Sequence, residues 1–161
     1  MTTENEICCP KFDPTPWQDQ KVSWTEKLFI KETMTQIMHM PIPGVFGKTV
    51  VKMSNKIEEA GAKTDDKDFL MLCHDLSPWK NEMYICVTKE VPGVENAKIS
   101  GTFLTKVFDG PYKNVPKWIK EMEGYVEGKG KKIKDFYFYY TTCPKCAKKY
   151  GHNYVVVFAQ I

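Results

Sequence analysis

The sequence predicts an α+β fold in which two successive strand-helix-strand-strand modules place their helices on an antiparallel sheet. Three observations support this: the same order of β-type and helical patterns occurs twice, each helical pattern ends at a glycine, and Pro- and Gly-rich turns separate the elements. The 161 residues, of which 42% are hydrophobic, suit one domain with a single core. We therefore predict one domain with pseudo-two-fold symmetry, with module one at about residues 20–91, module two at about 98–161 and an N-terminal arm at 1–19.

The first module begins with a β-type segment at residues 27–33. A Pro/Gly-rich connection then leads to residues 45–60, where apolar residues recur at helical spacing, and Gly61 ends this pattern. Two β-rich segments follow at 69–74 and 82–90, and the residues between them suit a hairpin loop. This order predicts strand, helix, strand, strand.

The second module repeats that order. A predicted strand at residues 101–108 precedes a helix at about 115–127, with Asn114 as its predicted N-cap. The last two strands are predicted at 135–142 and 153–161, joined by a loop rich in lysine and cysteine. The duplication is inferred from the order of the elements and not from identical residues.

Composition and charge exclude several classes of protein. The net charge of +3 comes from 23 basic and 20 acidic residues that largely alternate, which indicates a solvated surface. The one dense basic patch, Lys129 to Lys134, is interpreted as a solvated helix end because no nucleic-acid motif accompanies it. The N-terminus lacks a signal-peptide pattern, and the longest apolar stretch is short. We expect a cytoplasmic protein that binds neither nucleic acid nor membrane, and its oligomeric state stays open.

The six cysteines are expected to be reduced thiols or metal ligands, because the cytosol keeps thiols reduced. Cys143 and Cys146 form a CxxC motif, whose tight turn lets two thiolates bind one zinc ion. Cys8 and Cys9, or His152, would complete a structural zinc site if the N-terminal arm lies against this loop. Redox sensing, unliganded thiols and a disulfide framework are the alternatives. No other cofactor is predicted.

Short motifs in the second half resemble the gyrase-inhibitor-like (GyrI-like) small-molecule-binding domains. They are Gly110-Pro111-Tyr112, the following helix with Trp118, and the final strand ending Val157-Phe158-Ala159. Nearly the whole chain is also similar to bacterial and archaeal proteins described as hydrolases, through Cys8-Cys9-Pro10-Lys11-Phe12 and the segment TTCPKCAKKYG at residues 141–151. The second motif is the more distinctive.

The GyrI-like resemblance implies a central cleft that takes aromatic, often cationic, compounds, as in multidrug-responsive regulators. In some members this cleft hydrolyses reactive strained-ring compounds. Many relatives carry a glutamate near the aromatic end of the penultimate strand, where this chain has Phe136, Tyr137, Phe138 and Tyr139. Neutralisation of a cation by that glutamate is therefore in doubt.

Aromatic residues are the main candidates for binding a ligand between the modules, because flat rings offer a large contact area and attract cations. The predicted lining is Phe29, Tyr84, Phe103, Tyr112, Trp118 and Tyr139. Tyr112 and Trp118 have structural alternatives, as a turn tyrosine and as a tryptophan that packs a helix on the sheet. Alternation along a strand does not by itself say which aromatic face is turned toward the ligand.

Hydrolysis would need a carboxylate that activates water, and the candidates near the predicted cleft are Glu32, Glu82, Glu121 and Asp135. Cys73-His74-Asp75 suggests a catalytic row, but neighbouring residues of a strand point to opposite faces. A buried cysteine and an edge histidine are the expected alternative. No nucleotide-binding or serine-hydrolase motif occurs.

Three functions remain open from the sequence. The first is a module that senses, sequesters or detoxifies a small hydrophobic or aromatic molecule, including cationic ones. The second is a hydrolase that acts on a reactive electrophile in the same cleft. The third is a zinc-stabilised interaction protein with no small ligand. The sequence does not specify the ligand or the acid that would act.

Overall fold

The computed structural model describes residues 12–38, 40–65, 68–141 and 151–161, without the side chains of Met40, Pro41, Pro43 and Tyr112. The part of the chain before residue 92 contains β1 (Gln20–Ile37), β2 (Met40–Pro41), α1 (Pro43–Glu59), β3 (Met71–Ser77) and β4 (Lys80–Cys86). The part after it contains β5 (Glu95–Asp109), a short 3-10 helix (Tyr112–Asn114), α2 (Val115–Gly128), β6 (Asp135–Tyr140) and β7 (Tyr154–Gln160).

The strands form one antiparallel sheet in the order β2-β1-β4-β3-β6-β7-β5. β1 also pairs with β5, so the sheet closes on itself. β3 pairs with β6 at the centre, β4 and β7 lie on either side, and β1 and β5 complete the closure. The two halves therefore have the same connectivity around a pseudo-two-fold axis, which confirms the predicted α+β architecture.

A bulge in β1 allows this strand to pair with two neighbours. The pairing with β5 shifts between Trp24 and Lys27, and Glu26 within the shift has a φ of 47°. The Glu26 N–H donates a hydrogen bond of 2.8 Å to the Ser100 side chain, which satisfies a group that the bulge leaves unpaired. Because a bulge bends a strand, the first part of β1 follows β5 while its second part follows β4.

The helices cover the outer face of the sheet. In α2, Trp118, Met122 and Val126 are buried at helical spacing, and Trp118 stacks on Phe108 of β5 with ring centroids 5.5 Å apart. In α1, Phe46 makes an edge contact with Tyr140 of β6. Since side chains alternate along a strand, residues next to Phe108 and Tyr140 point to the opposite, inner face.

Both helices end in the same way. After α1, Gly61 has a φ of 62° and the Ala62 N–H bonds to the Ile57 carbonyl. After α2, Gly130 has a φ of 71° and the Lys131 N–H bonds to the Val126 carbonyl. This is the Schellman arrangement, in which a residue with positive φ, most often glycine, allows the chain to turn back.

The two long strands begin earlier than predicted. β1 starts at Gln20 instead of residue 27, and β5 starts at Glu95 instead of residue 101. The added segments are rich in polar residues, and each is a strand because it pairs with the predicted part of the other strand. Asn114 stands at the predicted N-cap position of α2 but makes no side-chain capping bond. No helix in the described part of the chain is long and apolar enough to cross a lipid bilayer.

The packing of α2 can be tested with two matched helical valines. Val126 in α2 is fully buried, whereas Val51 in α1 is 59% exposed. We expect Val126→Ala to lower the free energy of unfolding by about 2 kcal/mol, because it removes two methyl groups from the core and leaves a cavity. Val51→Ala should change it by less than about 0.5 kcal/mol. Urea unfolding followed by circular dichroism measures both, and equal effects would contradict the described packing of α2.

Candidate functional site

The inner face of the closed sheet is lined with aromatic side chains. Phe103 lies 5.9 Å from Tyr137, and Phe29 lies 6.0 Å from Tyr84, between ring centroids. Tyr84 and Tyr137 are 6.1 Å apart and meet edge to face. All four side chains are at least nine-tenths buried, so they form a dry wall at the centre of the fold.

A carboxylate stands at the end of this aromatic wall. Glu82 precedes Tyr84 by two residues on β4, so both side chains point to the inner face. Glu82 is paired with Thr33 of β1 and with His74 of β3, and directly paired residues of antiparallel strands share a face. The pairing therefore places His74 beside Glu82.

Three proton-bearing groups contact the Glu82 carboxylate. Lys31 Nζ lies 2.8 Å from Oε2, while His74 Nδ1 and the Tyr84 hydroxyl each lie 3.1 Å from Oε1. The Glu82 side chain is only 12% exposed. A carboxylate this buried needs such partners, because an unpaired charge inside a protein is costly.

Two further acids extend the cluster toward solvent. His74 Nε2 lies 2.7 Å from Asp135 Oδ2, and Lys31 Nζ lies 3.5 Å from Glu95 Oε1. Exposure of the side chains rises from 12% for Glu82 to 40% for Asp135 and 64% for Glu95. We call Lys31, His74, Glu82, Glu95 and Asp135 the acid cluster, and it runs from the interior to the surface.

These contacts and burial shift the pKa values of the inner groups of the site. Burial raises the pKa of Glu82, but hydrogen bonds from Lys31, His74 and Tyr84 outweigh it, so this pKa lies below its ordinary value. The hydrogen bond to Glu82 raises the pKa of Lys31. Burial, together with the nearby Glu82 charge, raises the pKa of both Tyr84 and Tyr137. At neutral pH the site therefore presents an ionised carboxylate beside protonated phenols.

The structure separates the predicted aromatic lining into two groups. Phe29, Tyr84 and Phe103 lie on the inner wall, and Tyr139 lies further along the same face of β6 as Tyr137. Trp118 lies on the other side of the sheet, between α2 and Phe108. The side chain of Tyr112 lies outside the described residues.

The four candidate acids also fall into two groups by their position in the fold. Glu82 and Asp135 both contact His74. Glu32 points to the outer face and pairs with Lys52 of α1 at 2.5 Å, whereas Glu121 is exposed on α2. The geometry therefore brings only Glu82 and Asp135 of these four acids into the cluster.

Sequence reasoning did not assign His74 and Lys31 to the site. Cys73 and Asp75 point away from His74, as alternation requires, and burial raises the pKa of the Cys73 thiol to about 12, which makes it inert. The partners of His74 come instead from neighbouring strands. One sequence signal was available, because an acid precedes a tyrosine by two residues both at Glu82 and at Asp135.

The predicted metal ligands Cys8, Cys9, Cys143 and Cys146 lie outside the described residues. The alternative ligand His152 contacts Asp109 Oδ2 through Nδ1 at 2.7 Å and stacks on Tyr154. Within residues 12–38, 40–65, 68–141 and 151–161, no group of three or more histidine, cysteine, aspartate or glutamate side chains is arranged to hold a metal ion.

Two surface concavities lie outside the aromatic interior. One, of about 350 Å³, is lined by residues that include Lys21, Leu104 and Tyr125. The other, of about 210 Å³, is lined by residues that include Asp135, Phe136 and Phe138. The interior itself is filled by its aromatic side chains, so a ligand that reached Glu82 would have to move some of them.

Comparisons with known proteins agree with this fold. The family described as bacterial hydrolase matches the chain over residues 1–161. The crystal structure of the EcmrR C-terminal domain is similar at a TM-score of 0.69 and 12% identity, covering 89% of this chain and 96% of that one. A hydrolase encoded by lin2189 from Listeria innocua is similar at a TM-score of 0.61 and 11% identity, covering 89% and 92%. No curated protein matches the chain.

These similarities, at such low identity, concern the fold and confirm that it is GyrI-like. The predictions that the chain binds no nucleic acid and is cytoplasmic remain predictions.

The ionisation of Glu82 predicts a pH dependence of stability. Because the pKa of Glu82 is lower in the folded protein than its ordinary value of 4.5, the unfolded chain takes up the proton first as pH falls. The carboxylate therefore stabilises the fold fully above that value, and this contribution disappears as pH falls through the folded pKa. We expect Glu82→Gln to show a weaker loss of stability on acidification than wild type.

Glu121→Gln is the matched control, because Glu121 is exposed and should leave the pH dependence unchanged. Thermal unfolding midpoints measured from pH 7 down to acid pH decide the question. Parallel curves for wild type and Glu82→Gln would show that Glu82 does not have the lowered pKa.

Proposed function

This chain belongs to the bacterial hydrolase family, and we propose that it binds a small aromatic or hydrophobic electrophile between its two modules and hydrolyses it. The single observation that carries this proposal is the Glu82 carboxylate, ionised and buried at the end of the aromatic wall. The resemblance to hydrolases agrees with it, because a general base beside an apolar surface is what hydrolysis of such a compound requires.

Binding would use the aromatic wall and the charge of the acid cluster. Phe29, Tyr84, Phe103 and Tyr137 offer ring faces and edges to an apolar ligand. The three acids Glu82, Glu95 and Asp135 outnumber Lys31 and His74, so the acid cluster carries a net negative charge. This charge and the ring faces favour an aromatic ligand that bears a positive charge.

The chemical step would begin with Glu82. Its carboxylate takes a proton from a water molecule, and the water oxygen forms a bond to the electrophilic carbon of the substrate. The bond from that carbon to the leaving oxygen breaks, and the oxygen keeps the electron pair and takes up the proton from Glu82, which restores the carboxylate. The phenol of Tyr137 keeps its proton, because its pKa is raised, and it donates a hydrogen bond to the developing negative charge.

Hydrolysis is tested with a panel of electrophiles and one inert ligand. We expect wild type to hydrolyse at least one of 4-nitrophenyl acetate, benzoylcholine and styrene oxide, with products measured by mass spectrometry. Glu82→Gln should lower kcat/KM for that compound by about a hundredfold, the usual contribution of a general base. It should still bind benzyltrimethylammonium, an aromatic cation that cannot be hydrolysed.

Glu32→Gln and Glu121→Gln are the matched controls and should retain wild-type rates, because Glu32 lies on the outer face and Glu121 on the surface. A wild-type protein that binds benzyltrimethylammonium but returns every electrophile intact would contradict hydrolysis. Sensing or sequestration of the ligand would then be the function.

A second proposal concerns a structural zinc ion held by Cys8, Cys9, Cys143 and Cys146. It is supported by Phe12, whose ring lies 5.8 Å from that of Tyr139 and 5.9 Å from that of Tyr154. Cys9 is three residues before Phe12, and Cys143 is four residues after Tyr139. An extended chain spans about 3.5 Å per residue, so both cysteine pairs are near enough in sequence to these contacts to meet at one ion.

We expect purified protein to contain zinc, measured by inductively coupled plasma mass spectrometry, because four thiolates form a closed site for this metal. Cys143→Ser with Cys146→Ser should abolish the zinc and lower the unfolding temperature. Cys73→Ala is the control, since the buried Cys73 thiol is not a proposed ligand. Zinc content that is unchanged by the double substitution would refute this site, and loss on His152→Gln would show that His152 replaces one of the cysteines.

A further inference from the structure

We infer that His74 and Asp135 are positioning residues that hold the Glu82 carboxylate in the orientation and ionised state that hydrolysis needs. This inference rests on the proposed function, and it adds two residues that act through Glu82 and not on the substrate itself.

The three side chains form a continuous chain across three adjacent strands. Asp135 of β6 contacts His74 Nε2 at 2.7 Å, and His74 Nδ1 of β3 contacts Glu82 Oε1 of β4 at 3.1 Å. The His74 ring also stacks on Tyr137, with centroids 4.7 Å apart and planes 24° apart. The stacking and the Asp135 contact together leave the ring little freedom to turn.

The contacts assign the protons of the imidazole. Each ring nitrogen faces a carboxylate oxygen, and an ionised carboxylate only accepts hydrogen bonds, so the contact with Glu82 is satisfied when Nδ1 carries a proton. His74 then donates from Nδ1 to Glu82, and this bond keeps the carboxylate charged and fixes one of its oxygens.

The other groups around Glu82 limit how much the removal of His74 changes the Glu82 carboxylate. Lys31 of β1 donates to the other oxygen of Glu82, Tyr84 donates to the same oxygen as His74, and Glu95 of β5 lies beyond Lys31. Glu82 therefore keeps two donors without His74. Removing His74 should rotate the carboxylate and raise its pKa, without leaving it unpaired.

The experiment compares His74→Leu, which has no donor, with His74→Gln, whose amide N–H can donate to Glu82. Asp135→Asn is a further variant that keeps the size of the acid and removes its charge. His152→Gln is the matched control, because His152 also contacts a carboxylate through Nδ1, that of Asp109 at 2.7 Å, outside the acid cluster. Circular dichroism and urea midpoints establish that each variant folds.

The first readout needs no substrate. The titration of Glu82 is followed by carbon-13 NMR of protein labelled at the glutamate carboxyls, with Glu82→Gln to assign its signal. We expect His74→Leu and Asp135→Asn to raise the pKa of Glu82, His74→Gln to raise it less, and His152→Gln to leave it unchanged. An unchanged pKa in His74→Leu overturns the inference, whether or not the protein hydrolyses any compound of the panel.

The second readout is the pH profile of kcat/KM for the panel compound that wild type hydrolyses. The acid limb should move to higher pH in His74→Leu, and kcat should fall at least tenfold while KM changes by less. His74→Gln should recover most of kcat. A loss of activity with an unmoved acid limb and no recovery by glutamine overturns the positioning role. A wild type that hydrolyses nothing refutes the proposed function, and the NMR titration still decides the role of His74.

Discussion

The closure of the sheet by the pairing of β1 with β5 is the constraint on which the site depends. Three consecutive residues of β1, from Phe29 to Lys31, pair with β4 on one side and β5 on the other. Lys31 stands at this junction, where its ammonium reaches both Glu82 of β4 and Glu95 of β5. In an open sheet the same ion pair would face water and contribute little to stability or to pKa values. In the closed sheet the ion pair of Lys31 and Glu82 is instead largely shielded from water, beside the aromatic wall.

A buried acid must be compensated, and its compensation determines its chemistry. Glu82 is kept charged by three donors, although its burial alone would favour the neutral acid. The same three donors also make Glu82 a weaker base. The lowered pKa therefore keeps Glu82 ionised at neutral pH but reduces its affinity for a proton. Tyr84 shows the reverse case, because burial and the neighbouring carboxylate hold its proton on the phenol. Glu82 and Tyr84 thus lie two residues apart on β4. In the same buried environment Glu82 is deprotonated and Tyr84 is protonated.

The order of elements and the helix ends could be predicted because they depend on local chemistry: apolar spacing and the glycines at 61 and 130. The early starts of β1 and β5 could not, because their polar segments become strands only by pairing across more than sixty residues of sequence. His74 was missed for the same reason. Alternation correctly separated it from Cys73 and Asp75, but its partners, Glu82 and Asp135, are set by the register of neighbouring strands. The acids at 82 and 135 each precede a tyrosine by two residues, which is the part of the site that the sequence does carry.

Duplication explains why a symmetric fold can have a one-sided site. β4 and β7 occupy equivalent places in the two halves of the sheet. On the inner face β4 presents Glu82 and Tyr84, whereas β7, through its pairing with Tyr137 and Tyr139 of β6, presents Phe158 and Val156. The half that contains β4 therefore carries the ionised Glu82, and the half that contains β7 carries apolar surface and the Asp135 that contacts His74. Under the proposed function, a ligand held between the two halves would meet the most buried charge, that of Glu82, on the β4 side only, and this position of Glu82 would set the orientation of its electrophilic carbon.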